Sequence, residues 1–168
     1  MSKLKFLLIV FVFVLPFIFA KYFFDNDATS TRGTTNHGSF LVDEINITNL
    51  ADNDHWIILQ VIDGECDTSC QDNMHMLRQI NTALGKDMGR VKRYLLHKNT
   101  NENTVYLDNY PKVIVLDRSE TLYNSLTKMD ERIFIADPFG KIILGYENDF
   151  IAKGLLKDMK KLLKFSKR

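Results

Sequence analysis

The sequence predicts an α/β domain with helices on both faces of its sheet, held behind one N-terminal apolar helix. Three observations carry this. The chain opens on an unbroken apolar run, and its later segments alternate between strand-like runs and helical periods. The stretch Trp56 to Ile62 (WIILQVI) is nearly all apolar, as expected of a strand covered on both faces.

Residues 1 to 24 hold 19 hydrophobic residues and seven of the twelve Phe, with Lys3, Lys5 and Lys21 as the only charges. From Phe6 to Ala20, 15 consecutive residues carry no polar group, and Tyr22, Phe23 and Phe24 extend the run past Lys21. Roughly 20 residues at ~1.5 Å each cross the hydrocarbon core of a bilayer, so a transmembrane anchor over residues 1–24 is expected. Ile18 stands where a processing site wants a small side chain, which disfavours a cleaved signal peptide. Lys3 and Lys5 precede the span while Asp25 and Asp27 follow it, which places the N-terminus in the cytoplasm. In a bacterium, the chain would then be a single-pass inner-membrane protein whose C-terminal domain faces the periplasm. Residues 25–36 are polar and aperiodic and read as a tether, leaving 37–168 as the folded domain.

A helix is expected after Trp56 to Ile62, because Cys70, Met74, Leu77, Ile80 and Leu84 fall on one face and Gly85 is placed to end it. Val91 to Leu96 and Val113 to Leu116 read as further strands, and Ser119 to Leu126 as a short helix. Arg132 to Ala136 and Lys141 to Tyr146 form a hairpin through the turn Asp137-Pro138-Phe139-Gly140. Ile151, Leu155, Met159, Leu162 and Phe165 are expected to line the buried side of a last helix, opposite Lys153, Lys157, Lys160, Lys161 and Lys164. Residues 25 to 156 carry a net charge of −7. An acidic body of this kind argues against a nucleic-acid platform, and periodic apolar runs to the C-terminus argue against long disorder.

The chain has two cysteines, Cys66 and Cys70, between the buried strand and its helix. Thiols at a helix N-terminus lie in its positive potential, which favours the thiolate that attacks disulfides and binds soft metals. Asp67 or Ser69 can cap the helix and leave both sulfurs at its entrance. Two buried structural thiols, or a stapling disulfide over five residues worth roughly 2 kcal/mol, are the alternatives to reactive or metal-binding use. No Ser-His-Asp order, phosphate loop or zinc spacing is evident.

The Cys-x-x-x-Cys after a strand, the late Asp-Pro-x-Gly hairpin and the N-terminal anchor resemble the Sco/SenC proteins of cytochrome c oxidase assembly. Asn36-His37-Gly38, Trp56-Ile57-Ile58-Leu59, Cys66-Asp67-Thr68-Ser69-Cys70, Arg78-Gln79-Ile80, Ala83-Leu84-Gly85-Lys86 and the Leu-rich tail are similar to a short, membrane-anchored, oxidase-associated branch. The resemblance covers roughly residues 36 to 166. It implies a thioredoxin-like fold and an oxidase subunit with a binuclear copper site as partner. It further implies either Cu(I) delivery or reduction of the cysteines that receive the copper.

Sco proteins hold copper with both cysteines and a His shortly before the hairpin. The matching position here is near Met129, with no His nearby, so the resemblance gives Cys66, Cys70 and Met129 as the metal ligands. A thioether is a soft donor suited to Cu(I). His75 lies about 140° around the helix from Cys70 and is expected to face solvent. His55 stands at the far end of the buried strand, His97 ends the next strand near the thiols, and His37 closes the tether. Thioredoxin-type catalysts use Cys-x-x-Cys and a cis-Pro, where this chain has three intervening residues and Arg132. Broad disulfide reductase activity is therefore less expected than exchange with one partner. From a different functional class, a non-catalytic membrane adaptor is the alternative.

Overall fold

The computed structural model describes residues 3–27, 35–41, 45–47, 54–97, 105–116 and 120–166. The chain divides into two compact units, Met1–Thr35 and Asn36–Arg168. The first contains one helix, α1, Lys3–Asp27, with Pro16 inside it. It runs past residue 24 because Asp25, Asn26 and Asp27 include no Gly or Pro to stop it. Side chains described in α1 run from Val10 to Tyr22, besides Lys3 and Lys5, and most of its large apolar side chains are exposed. Among the described residues no helix is long and apolar enough to cross a membrane.

The second unit is one six-stranded sheet in the order β1-β6-β5-β2-β3-β4. Its strands are β1 (Ser39–Phe40), β2 (Trp56–Ile62), β3 (Val91–His97), β4 (Val113–Leu116), β5 (Ile133–Ala136) and β6 (Ile142–Tyr146). Helix α2 (Thr68–Ala83) follows β2, α3 (Glu120–Leu126) follows β4, and α4 (Ala152–Phe165) closes the domain. Two 3-10 turns, Gly85–Arg90 and Val105–Asn109, lead into β3 and toward β4.

β2 pairs parallel with β3 and antiparallel with β5, so both of its edges are bonded. All seven of its residues are buried. Trp56 and Ile58 pack on one face with Leu77 and Ile80 of α2 and with Leu155 and Met159 of α4. Ile57, Leu59 and Val61 pack on the other with Leu122, Tyr123 and Leu126 of α3. Alternate side chains of a strand point to opposite faces, so a strand between two helical layers is apolar throughout.

Cys70, Met74, Leu77, Ile80 and Leu84 are all buried, as their spacing predicts. The last helix differs from expectation. Leu155 and Met159 are buried and Leu162 is half-buried, but Ile151 and Phe165 are 73% and 77% exposed. Ile151 is the N-cap in an extended conformation, outside the helical repeat. Phe165 lies two residues beyond buried Leu163, about 200° around the helix. The expected lysine face, Lys153, Lys157, Lys160, Lys161 and Lys164, is exposed.

Candidate functional site

Ligand crevices of open α/β sheets lie at the carboxyl ends of their parallel strands. The segment Asp63 to Asp67 leaves β2 at that end and turns into α2. Gly64 has φ +90°, a backbone region that side-chain-bearing residues rarely enter, so the turn requires glycine here. Two side chains from neighbouring elements hold the loop. Tyr123 of α3 donates its hydroxyl to Asp63 Oδ1 at 2.8 Å. His97 at the end of β3 lies 2.8 Å from the Gly64 carbonyl through Nε2. A carbonyl only accepts, so the hydrogen bond assigns the proton to Nε2.

Asp67 is the N-cap of α2, and its Oδ1 accepts from the Cys70 amide at 2.8 Å. Cys66 thus precedes the helix and Cys70 sits in its first turn. The two sulfurs are joined as a disulfide with the Cα atoms 5.3 Å apart, so the alternative of two separate structural thiols is set aside. Cys70 is buried and Cys66 half-buried, and both pack with Ile62, Leu95, Leu107 and Val113. Gln60, buried in β2, donates through Nε2 to the Cys70 carbonyl at 3.2 Å and stands 3.8 Å from its sulfur. Asn73, also buried, donates to Asn148 Oδ1 at 2.8 Å, and Asn148 Nδ2 donates to Ser69 Oγ at 3.0 Å. The start of α2 is in this way tied to the loop between β6 and α4.

This arrangement suits thiol exchange. Cys66, half-exposed, is open to a partner, and the buried Cys70 lies behind it with the Gln60 amide 3.8 Å from its sulfur. Met129 stands in the turn before β5, whose first residues pair with the last ones of β2, so it lies at the thiol end of the sheet. Its side chain packs with the α3 cluster rather than with the sulfurs. Arg132, the residue before β5, accepts from the Val61 amide through its carbonyl and donates its own amide to the Tyr146 carbonyl, each at 2.8 Å. Among the described residues no group of three or more His, Cys, Asp or Glu is placed to hold a metal ion. His75 is exposed and 2.8 Å from Gln79, as its helical angle predicts.

Sequence reasoning missed Gln60, Asn73 and Tyr123 as parts of the site. Gln60 carried a signal, being the only polar residue in the run WIILQVI. The partners of Asn73 and Tyr123 lie 75 and 60 residues away, beyond any local pattern.

Sheet order, strand directions and the thiol loop define a thioredoxin-like domain. The chain belongs to the family described as Transmembrane-like, thioredoxin-like, C-terminal domain, which matches residues 56–166. No curated protein sequence matches it. Among solved structures, it is similar to apo Sco1 from Thermus thermophilus, with 14% identity and a TM-score of 0.59 over 79% of this chain and 99% of that one. It is also similar to copper-bound ScoI of Arabidopsis thaliana, with 17% identity and a TM-score of 0.54 over 70% and 88%. The thioredoxin domain of a thiol-disulfide oxidoreductase from Bacteroides vulgatus matches with 13% identity and a TM-score of 0.52 over 75% and 96%. At these identities the likeness is one of fold.

Proposed function

We propose that the chain is a membrane-anchored periplasmic thiol protein that assists cytochrome c oxidase assembly through Cys66 and Cys70. The observation that carries this reading is the Cys66–Cys70 bond at the mouth of α2, with one sulfur half-exposed and the other buried. In the reducing direction, the Cys66 thiolate attacks a disulfide of the partner and displaces one partner sulfur as a thiolate. Cys70 then attacks Cys66 in the mixed disulfide and releases the second partner thiolate. The partner's cysteines leave reduced and this chain leaves oxidised, to be restored by a dithiol donor.

The copper-bound state of the Arabidopsis ScoI relative favours a second use of the same pair. Here Cu(I) is cargo held by the two thiolates, with Met129 as the third soft donor, for delivery to the binuclear copper site of an oxidase subunit. The anchor is supported by the unbroken apolar run from Phe6 to Ala20 in the sequence and by the exposure of Phe11, Phe13 and Phe17, at 64%, 68% and 76%. Lipid is the natural cover for such a surface.

The experiment is a Cu(I) competition titration and a glutathione redox titration of the full chain in non-ionic detergent. Cys66→Ser and Cys70→Ser are expected to abolish both activities, and Met129→Ala to weaken Cu(I) binding while leaving the redox titration unmoved. A wild-type chain that neither binds Cu(I) nor exchanges with glutathione would leave the non-catalytic adaptor as the better account.

A further inference from the structure

Away from the thiol loop, two adjoining cavities of about 190 and 340 Å³ lie between α2, the turn Gly85–Arg90, β3 and the start of β4. They share Asn81, Met88, Arg93, Pro111 and Lys112, with Arg78 lining the smaller and Ile114 the larger. Arg93 is in β3 opposite Ile58, four residues before the pairing of His97 with Ile62 at the thiol end. It is 5% exposed, and its Nε and Nη1 are buried without a hydrogen-bond partner among the described residues. Arginine is almost never buried unless paired, because losing water without a counter-charge is costly.

No carboxylate lines either cavity among the described residues. The other charges there add to the imbalance, since Arg78 and Lys112 are also cationic. Burial first and the charge of Arg78 second push the Arg93 guanidinium below its ordinary range, with Tyr110 acting in the opposite sense. Asn81, 9% exposed, has its Oδ1 buried without a partner as well. Turning the amide over would present its NH2 to an acceptor instead. Met88 and Ile114, 37% and 41% exposed, with Pro111, make the remaining wall apolar.

We propose that these cavities bind a small organic anion, a carboxylate or phosphate ester with an apolar part, whose oxyanion is held by Arg93. The planar guanidinium fork matches both oxyanions, and burial strengthens a charge-assisted pair. Arg78 and Lys112 add positive potential at the rim, Asn81 supplies a further donor, and Met88, Pro111 and Ile114 receive the apolar part. The site shares no residue with the thiol loop and does not depend on the function proposed for it.

The test is isothermal titration of the full chain in non-ionic detergent with sodium hexanoate and with inorganic phosphate, against sodium chloride as control. Saturable binding of at least one probe is expected. Hexanoate alone would mark the ligand as a carboxylate, and phosphate alone as a phosphate ester. Arg93→Met should weaken binding by about tenfold or more, as loss of a charged hydrogen bond does. In the ligand-free state it should melt no lower than wild type, because it removes an unpaired buried charge. Arg78→Gln alters only an exposed rim residue and should weaken binding a few fold. Absence of saturable binding of both probes, or wild-type affinity in either variant, would overturn the site, as would a ligand-free Arg93→Met that melts below wild type.

Discussion

Tyr123 shows how one side chain couples the thiol loop to the layer beneath it. Burial first, and its bond to Asp63 second, push its phenol up to about 12. An unfolded tyrosine titrates near 10. The folded state therefore holds this proton more tightly, so its stabilising contribution is complete below about pH 10 and is lost as pH rises toward 12. Denaturant midpoints measured across that window should fall with pH in wild type and less steeply in Tyr123→Phe. Equal slopes would mean that the hydroxyl is not held as described. The cysteines themselves were legible from the sequence, because a thiol pair at a strand-to-helix junction is a local pattern. The redox state of the pair was not, and neither was Tyr123, which reaches the loop from α3; His97 was placed near the thiols by its position at the end of β3, but its bond to the Gly64 carbonyl was not.

At the scale of elements, sequence and structure agree where a segment is periodic and bounded by its own caps. Helix α2 is the clear instance, with its buried stripe starting at Cys70, Asp67 at its entry and Leu84 then Gly85 at its exit. Helix α4 shows where periodicity runs out. Its spacing nominated Ile151 and Phe165 for the buried face, yet the first is a cap outside the helix and the second turns away beyond Leu163. The spacing also could not show that Asp158, 2% exposed, is buried. Truncation separates the two kinds of position. Leu155→Ala is expected to cost about 2–5 kcal/mol in denaturant unfolding, the range for emptying a packed core site. Phe165→Ala should stay within about 0.5 kcal/mol, as surface changes do. A large loss at Phe165 would show that something covers that face. Strand β1 lay below the reach of pattern reading, since two exposed residues, Ser39 and Phe40, have no periodicity to detect.

Across the whole folded unit, Asp158 joins segments that are far apart in sequence. Its Oδ2 accepts from the His37 amide at 2.6 Å, the Gly38 amide at 3.0 Å and the Tyr146 hydroxyl at 2.9 Å. The His37 ring approaches Oδ1 at 3.3 Å. The close approach depends on two glycines. A Cβ at Gly38 would lie 2.6 Å from the Tyr146 ring, and one at Gly154 would lie 2.8 Å from His37 Cβ. Burial and the Asp158 charge both raise the Tyr146 phenol, so it stays protonated and remains a donor. β1 pairs with β6 at only two positions, too few to hold the segment before it by ladder bonds alone. Asp158 is thus the main attachment of residues 37 and 38 to the domain. Asp158→Asn preserves the shape but removes the charge and replaces one acceptor oxygen by an amide. It should cost about 1–3 kcal/mol, as expected when a buried donor loses its partner. Hydrogen exchange locates the effect. The Gly38 amide should lose most of its protection in the variant, while amides of β2 lose only what the fall in global stability dictates. If Gly38 keeps its protection, the β1–β6 pairing holds this segment without Asp158.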